Sequence, residues 1–275
     1  MVVGIVGLGL MGGSLGLALK GVPQVEKIVG YDRNPHHCNE ALELELVDEV
    51  VSWEELKRSD VIYLAIPVEG IIRALQELTD ISPMSTVIDL GSTKARIVEN
   101  IPPQIRKNVV PAHPMTGTEK FGPSAALPNL YRDKIVVLCN LEESGELQRD
   151  TARTLFKKIG MKIVTMDAHE HDRHAAYISH LPHAISFALA NAVMAQEDAK
   201  NILILAAGGF RDMSRLAKSS PVMWEEIFKQ NRENLLESMD RFEEELARCR
   251  NLINEADWKG LHRWMEEANK LHKIL

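Results

Sequence analysis

A chain of 275 residues with a formal net charge of −7 has length for one large or two ordinary domains and lacks the basic surface a nucleic-acid partner requires. Its three cysteines, Cys38, Cys139 and Cys249, are odd in number and widely spaced, which argues against a disulfide framework or a C-x-x-C metal site and fits a reducing compartment. No charged side chain precedes Lys20, but the opening segment lacks a basic leader and its glycines suit a turn, so it is read as part of a cytoplasmic fold with no membrane span.

The first predicted element is a strand, Val2, Val3, Ile5 and Val6, which delivers Gly7, Gly9 and Gly12 in the pattern G-x-G-x-x-G before a helical pattern beginning near Leu10. Gly7 makes the turn, Gly9 offers no Cβ to obstruct a pyrophosphate, and Gly12 allows helix and strand to approach closely. Gly7, Leu8, Gly9, Leu10, Met11 and Gly12 are thus candidate dinucleotide-binding residues, with phosphate held by free N–H groups at a helix N-terminus. An ordinary turn of an α/β domain would carry the same glycines. The next apolar run, Ile28 to Tyr31, ends in Asp32, 20 residues beyond Gly12, where an acidic side chain accepts hydrogen bonds from an adenosine ribose. Asp32 would repel a 2′-phosphate, which favours NAD; Arg33 beside it keeps NADP open.

Strand-like runs continue at Val61 to Ala65, Thr86 to Asp89, Val109 to Pro111, Ile135 to Leu138 and Lys162 to Met166, with helical patterns such as Val68 to Leu78 and Leu147 to Ile159 between them. This alternation predicts an α/β domain over residues 1–166, a mostly parallel, doubly wound sheet of the Rossmann type. Ligands in such sheets bind beyond the C-terminal strand ends, which draws attention to Ile66-Pro67, Gly91 to Lys94 and the loop from Ala112 to Lys120.

After Met166 no strand pattern remains, and residues 167–275 are predicted to form an all-α domain. Asp167 caps a helical segment reaching Ala195, with a kink or break expected at Pro182, which would clash with the carbonyl of Ile178. Ser220-Pro221 starts another helix, along which Phe228, Leu235, Phe242 and Cys249 recur every seven residues beside Met239, Leu246 and Ile253. If continuous from Pro221 to Asn254 it spans about 50 Å, and a shared dimer core is the natural way to bury that seam. A last amphipathic helix is capped by Asp257.

Among residues able to carry chemistry, His113 can take a proton from an alcohol near neutral pH, though a loop histidine bonded to backbone would look the same. Ser92 could hold His113 or a reacting hydroxyl, or serve as a plain N-cap. His169, His171, His174, His180 and His183 crowd the domain junction without a recognised metal-ligand spacing, so no metal is expected. Arg211 and Arg215 follow a Gly-Gly pair and could clamp carboxylates; a surface pair of Asp212 with Arg215 is the plainer reading.

Five ordered stretches, GLGLMGGS from Gly7, DLGSTK from Asp89, HPMTGTEKFG from His113, SHLPHAISFAL from Ser179 and GGFRDMSRLAKSSPVMW from Gly208, resemble the prephenate/arogenate dehydrogenase family of tyrosine biosynthesis. The resemblance implies a Rossmann domain, a helical dimerisation domain, a homodimer, and NAD(P)-dependent oxidative decarboxylation of a cyclohexadienyl substrate. It also implies roles: His113 as the residue that bonds the ring hydroxyl and accepts its proton, Ser92 as its orienting partner, and His183, Thr118, Glu119 and Arg215 as substrate-binding residues, with Glu119 bonding or gating. Ile66 joins the cofactor contacts, and Trp224 lines the pocket or belongs to its helix. With the sequence ending at Leu275, no C-terminal regulatory domain is expected, and tyrosine inhibition, if present, is expected to act at the active site.

Overall fold

The computed structural model describes residues 1–274; Leu275, the end of the predicted helical domain, lies outside the described residues. Strand β1 (Val2–Val6) leads into α1 (Leu10–Leu19), followed by β2 (Lys27–Tyr31), α2 (Pro35–Glu43), β3 (Glu49–Val50) and α3 (Trp53–Leu56). The chain then returns to the other side of β1 with β4 (Val61–Leu64), α4 (Val68–Glu77), β5 (Thr86–Asp89), α5 (Ala95–Glu99), β6 (Val109–Pro114), β7 (Ile135–Cys139), α6 (Glu146–Lys158) and β8 (Lys162–Met166). These strands make one sheet in the order β3-β2-β1-β4-β5-β6-β7-β8. All pairs are parallel except β6 with β7.

The sequence explains this architecture. Val61 to Leu64 and Thr86 to Asp89 are buried throughout, as central parallel strands covered on both faces must be. One face packs through Leu15, Leu19 and Phe156, the other through Ile71, Leu75 and Ile97, all fully buried. Each such aliphatic side chain contributes about 1.5–3 kcal/mol relative to exposure. The reversal of strand order between β1 and β4 opens a crevice at their C-terminal ends, where dinucleotide sites form.

One departure from expectation matters for the site. Ala112, His113 and Pro114 belong to no loop; they extend β6 and pair antiparallel with Leu138, Val137 and Val136 of β7. Pro111 and Pro114, which offer no N–H to a ladder, masked this extension in the sequence.

Beyond β8 the described residues are helical: α7 (Ala168–Ala175), a π-helical turn at Ala176–His180, α8 (Leu181–Met194), α9 (Ala199–Ile204), α10 (Gly208–Ser214), α11 (Pro221–Gln230), α12 (Arg232–Asn254) and α13 (Trp258–Asn269). Asp167 accepts from the N–H groups of His169 and Glu170, so the expected cap of α7 is present. The break expected at Pro182 takes the form of the π turn just before it, a wider turn that releases the ring from the preceding carbonyls. The long helix is divided at Asn231, which leaves α12 at 23 residues and about 34 Å. Buried Asn231 donates from Nδ2 to the Asp172 carbonyl at 2.7 Å and to His180 Nδ1 at 3.0 Å, which ties the division to α7 and the π turn. Among the described residues no helix is long and apolar enough to cross a membrane.

Candidate active site

The glycine turn has the shape a dinucleotide needs. Gly7 adopts φ +90°, a left-handed value that a side chain would strain, and a Cβ there would lie 2.4 Å from the Ala65 carbonyl oxygen and 2.6 Å from Ile66. A Cβ on Gly12 would lie 1.8 Å from the Gly7 oxygen, so helix α1 reaches β1 only because residue 12 is glycine. Gly9 differs: nothing lies closer to its would-be Cβ than Gly122 N at 4.0 Å, which leaves open space above the N-terminus of α1. Leu8 N–H donates to Asp32 Oδ2 at 2.9 Å, placing the carboxylate that follows β2 beside the turn, with Arg33 exposed next to it. Leu10 is buried under the turn, and the Met11 carbonyl accepts from Tyr131 Oη at 2.7 Å. Open space, free N–H groups and an acidic side chain at the ribose position fit a dinucleotide.

His113 stands in β6, two residues past the last pairing with β5 and opposite Val137 of β7. Its Nδ1 lies 2.8 Å from His171 Nε2, and His171 Nδ1 lies 2.8 Å from Asp172 Oδ1. These contacts assign the protons. Burial alone would raise the Asp172 carboxyl, but the hydrogen bond from His171 and the N–H groups of Lys94 and Ala95 carry it below its ordinary value. An ionised Asp172 requires Nδ1–H on His171, which leaves His171 Nε2 as acceptor for Nδ1–H of His113. His113 Nε2 then holds a lone pair, the arrangement of a general base. Burial, reinforced by electrostatic competition with the His171 ring, the Lys94 ammonium and the His180 ring, holds His113 well below the usual histidine range, so the ring is neutral at physiological pH.

The helical half supplies a second wall. His183 Nδ1 donates at 2.8 Å to the carbonyl of Ser179, a residue of the π turn, so its Nε2 is the acceptor nitrogen. Its ring stacks on Trp224 at a centroid distance of 3.5 Å and an interplanar angle of 23°. Trp224 is buried, and its Nε1–H has no hydrogen-bond partner. Arg215 approaches Glu119 at 3.8 Å, joining the segment after β6 to the turn after α10; the alternative pairing with Asp212 is not adopted.

Of the residues singled out in the sequence, the structure brings Glu119 to Arg215, Ile66 to Gly7 and Leu8 to Asp32. Ser92 does not cap α5: that role belongs to Asp172, which accepts from Lys94 and Ala95 at 2.8 and 2.9 Å. Among the described residues no hydrogen bond joins Ser92 to His113, although Ser92 follows β5 and His113 lies near the end of the adjacent β6. Thr118 is exposed and accepts locally from Lys120 N–H at 3.2 Å. His171 and Asp172 were missed as a pair; an acid directly after a histidine in a capped helix was the one available signal. Among the described residues no group of three or more His, Cys, Asp or Glu side chains is placed to hold a metal ion.

The family description "Prephenate dehydrogenase, nucleotide-binding domain" matches residues 15–165, and "Prephenate dehydrogenase, dimerization domain" matches residues 167–267. The chain belongs to the prephenate dehydrogenase family. Within that family it is 30% identical over 271 residues to the prephenate dehydrogenase of Bacillus subtilis, covering 96% of this chain and 73% of the relative. It superimposes with a TM-score of 0.92 and 32% identity on the prephenate dehydrogenase of Aquifex aeolicus in complex with hydroxyphenyl propionate and NAD+, covering 100% of this chain and 98% of that one. The arogenate dehydrogenase of Synechocystis gives a TM-score of 0.83 and 31% identity, covering 100% and 99%. The chain is accordingly a dehydrogenase, an oxidoreductase with a Rossmann domain and a helical C-terminal domain.

Proposed function

We propose that this chain oxidises and decarboxylates prephenate to 4-hydroxyphenylpyruvate with NAD as hydride acceptor. The observation that carries the reading is the Asp172–His171–His113 chain, which leaves an unprotonated Nε2 at the end of a strand in a dinucleotide-binding sheet. Gly7 to Gly12 and Asp32 would hold the cofactor, with Ile66 against the turn, and bound NAD supplies the acceptor for the hydride of the ring carbinol. His113 Nε2 takes the hydroxyl proton as the carbonyl forms. The new ketone is conjugated through the ring to the carbon bearing the carboxylate, so the C–CO2 bond breaks with its electrons drawn into an aromatic ring. The phenol oxygen then recovers the proton from His113, so no net proton is needed.

The remaining roles follow from charge. Arg215 holds a substrate carboxylate, for which Glu119 is its partner before substrate arrives, and Ser92, Thr118 and His183 complete the pocket. Residues 1–166 would bind the dinucleotide, and 167–275 the substrate and a second copy. The exposed Leu246 and Ile253 of α12 support a homodimer, while Leu235 of the same seam is buried within its own chain; the cytoplasm is the compartment of this reading.

A second reading, arogenate in place of prephenate, is favoured by the likeness to the Synechocystis arogenate dehydrogenase. Assaying prephenate and arogenate each with NAD and NADP separates the readings. Reduced cofactor is expected with prephenate and NAD; turnover with arogenate alone would establish the second reading, and turnover in none of the four would overturn both.

A further inference from the structure

We propose that Lys94 is a positioning residue for His113, acting through a buried ion pair with Asp89 that replaces a missing stretch of strand. The proposal rests on His113 being the base.

Strand β6 is paired with β5 only as far as Pro111, opposite Asp89, the last residue of β5. At the next step, immediately before His113, Ala112 has no β5 residue beside it, and its buried N–H and C=O would be left unmatched on that edge. Two side chains take over. Ala112 N–H donates to Asp89 Oδ2 at 3.2 Å, and Lys94 Nζ donates to the Ala112 oxygen at 2.7 Å. Asp89 and Lys94 are fully buried and paired with each other, and Asp89 Oδ1 also accepts from Gly91 N–H at 3.0 Å. Together they present an acceptor and a donor along one edge, as another strand residue would.

Lys94 also belongs to the second anchor of His113. Its backbone N–H donates at 2.8 Å to Asp172 Oδ1, the oxygen that also receives His171 Nδ1. One residue therefore fixes the main chain before His113 and the carboxylate that sets its ring tautomer. A buried ammonium is costly unless paired, and an apolar side chain would fill the same space, so the charge is the informative feature. That charge faces His113 together with His171 and Asp172 of α7, His180 of the π turn and Asp89, and it disfavours protonation of the base.

The double variant Asp89→Asn/Lys94→Gln removes both charges while keeping hydrogen-bonding groups of similar size; Lys94→Met alone strands Asp89 and is unsuitable. With folding checked by circular dichroism and thermal melting, kcat should fall about 10- to 100-fold while KM stays within about two-fold. The acid limb of kcat/KM should move to higher pH, as should the titration of the His113 ring followed by NMR in cofactor-free protein. A folded double variant with wild-type kcat and an unmoved acid limb overturns the proposal. Should the variant not fold, lysine-selective NMR of the unsubstituted protein decides: a slowly exchanging, protonated Lys94 ammonium throughout the His113 titration is expected, and a neutral or freely exchanging amine overturns it. Wild-type protein inactive on prephenate and arogenate would instead refute His113 as base, while the NMR measurements still report on Lys94.

Discussion

His113 and His171 meet edge to face, ring centroids 5.0 Å apart at 70°, with Nδ1 of the first 2.8 Å from Nε2 of the second. The contact fixes which nitrogen of His113 is free, because Asp172 claims the opposite nitrogen of His171. Replacing His171 by Phe keeps a ring but removes the acceptor, and should lower kcat about 10- to 100-fold with KM little changed. Steady-state kinetics check this; unchanged kcat would make the histidine pair a packing feature.

The pH dependence follows from the same burial. His113 is held well below 6.5, so it remains a base in mild acid, and the acid limb of kcat/KM should lie below pH 6.5. Stability moves with the same sign. Burial pushes His180 down to about 4 from 6.5. Above pH 6.5 neither folded nor unfolded chain is protonated there, and stability is full. Below it the unfolded chain takes a proton that the folded one refuses, so stability declines from about 6.5 to about 4, by up to roughly 3 kcal/mol. Urea unfolding between pH 7 and 4 should show this slope, shallower in His180→Gln; equal slopes would contradict it.

Two glycines of one motif should respond differently to alanine. Gly12→Ala puts a methyl 1.8 Å from a backbone oxygen and should cost stability, about 1–3 kcal/mol or more. Gly9→Ala meets open space within the protein and should leave Tm within a few degrees while weakening NAD binding. Melting curves and calorimetric titration with NAD check the pair; Gly9→Ala binding NAD as wild type would remove the pyrophosphate from that position.

Arg215 has 56% of its side chain exposed and, among the described residues, only Glu119 as an ionic partner, 3.8 Å away, so the loss of Arg215 should be felt mainly in substrate binding. Arg215→Ala should raise KM about 10- to 100-fold with a smaller effect on kcat. An unchanged KM would return Arg215 to a surface role.

The sheet was legible because its strands are short runs of β-branched residues between helical patterns, and Thr86–Asp89 and Lys162–Met166 have the bounds the sequence predicts. The extension of β6 was hidden by two prolines, and the π turn by the absence of any local signature for a fifth residue in a turn. The division at Asn231 obeys tertiary bonds to Asp172 and His180 that no heptad pattern encodes. Glu119, Arg215, His113 and the glycine turn were recognisable as residue types in order. The link from His113 through His171 to Asp172 was not, because it joins a strand to a helix 58 positions away.

The most direct test is the rate of NADH formation from prephenate by His113→Asn, with NAD affinity measured on the same preparation. Turnover should fall about 10²- to 10⁴-fold while NAD binds as in wild type. Turnover near wild type would show that the proton leaves by another route and that the chain from Asp172 to His113 is not the catalytic base.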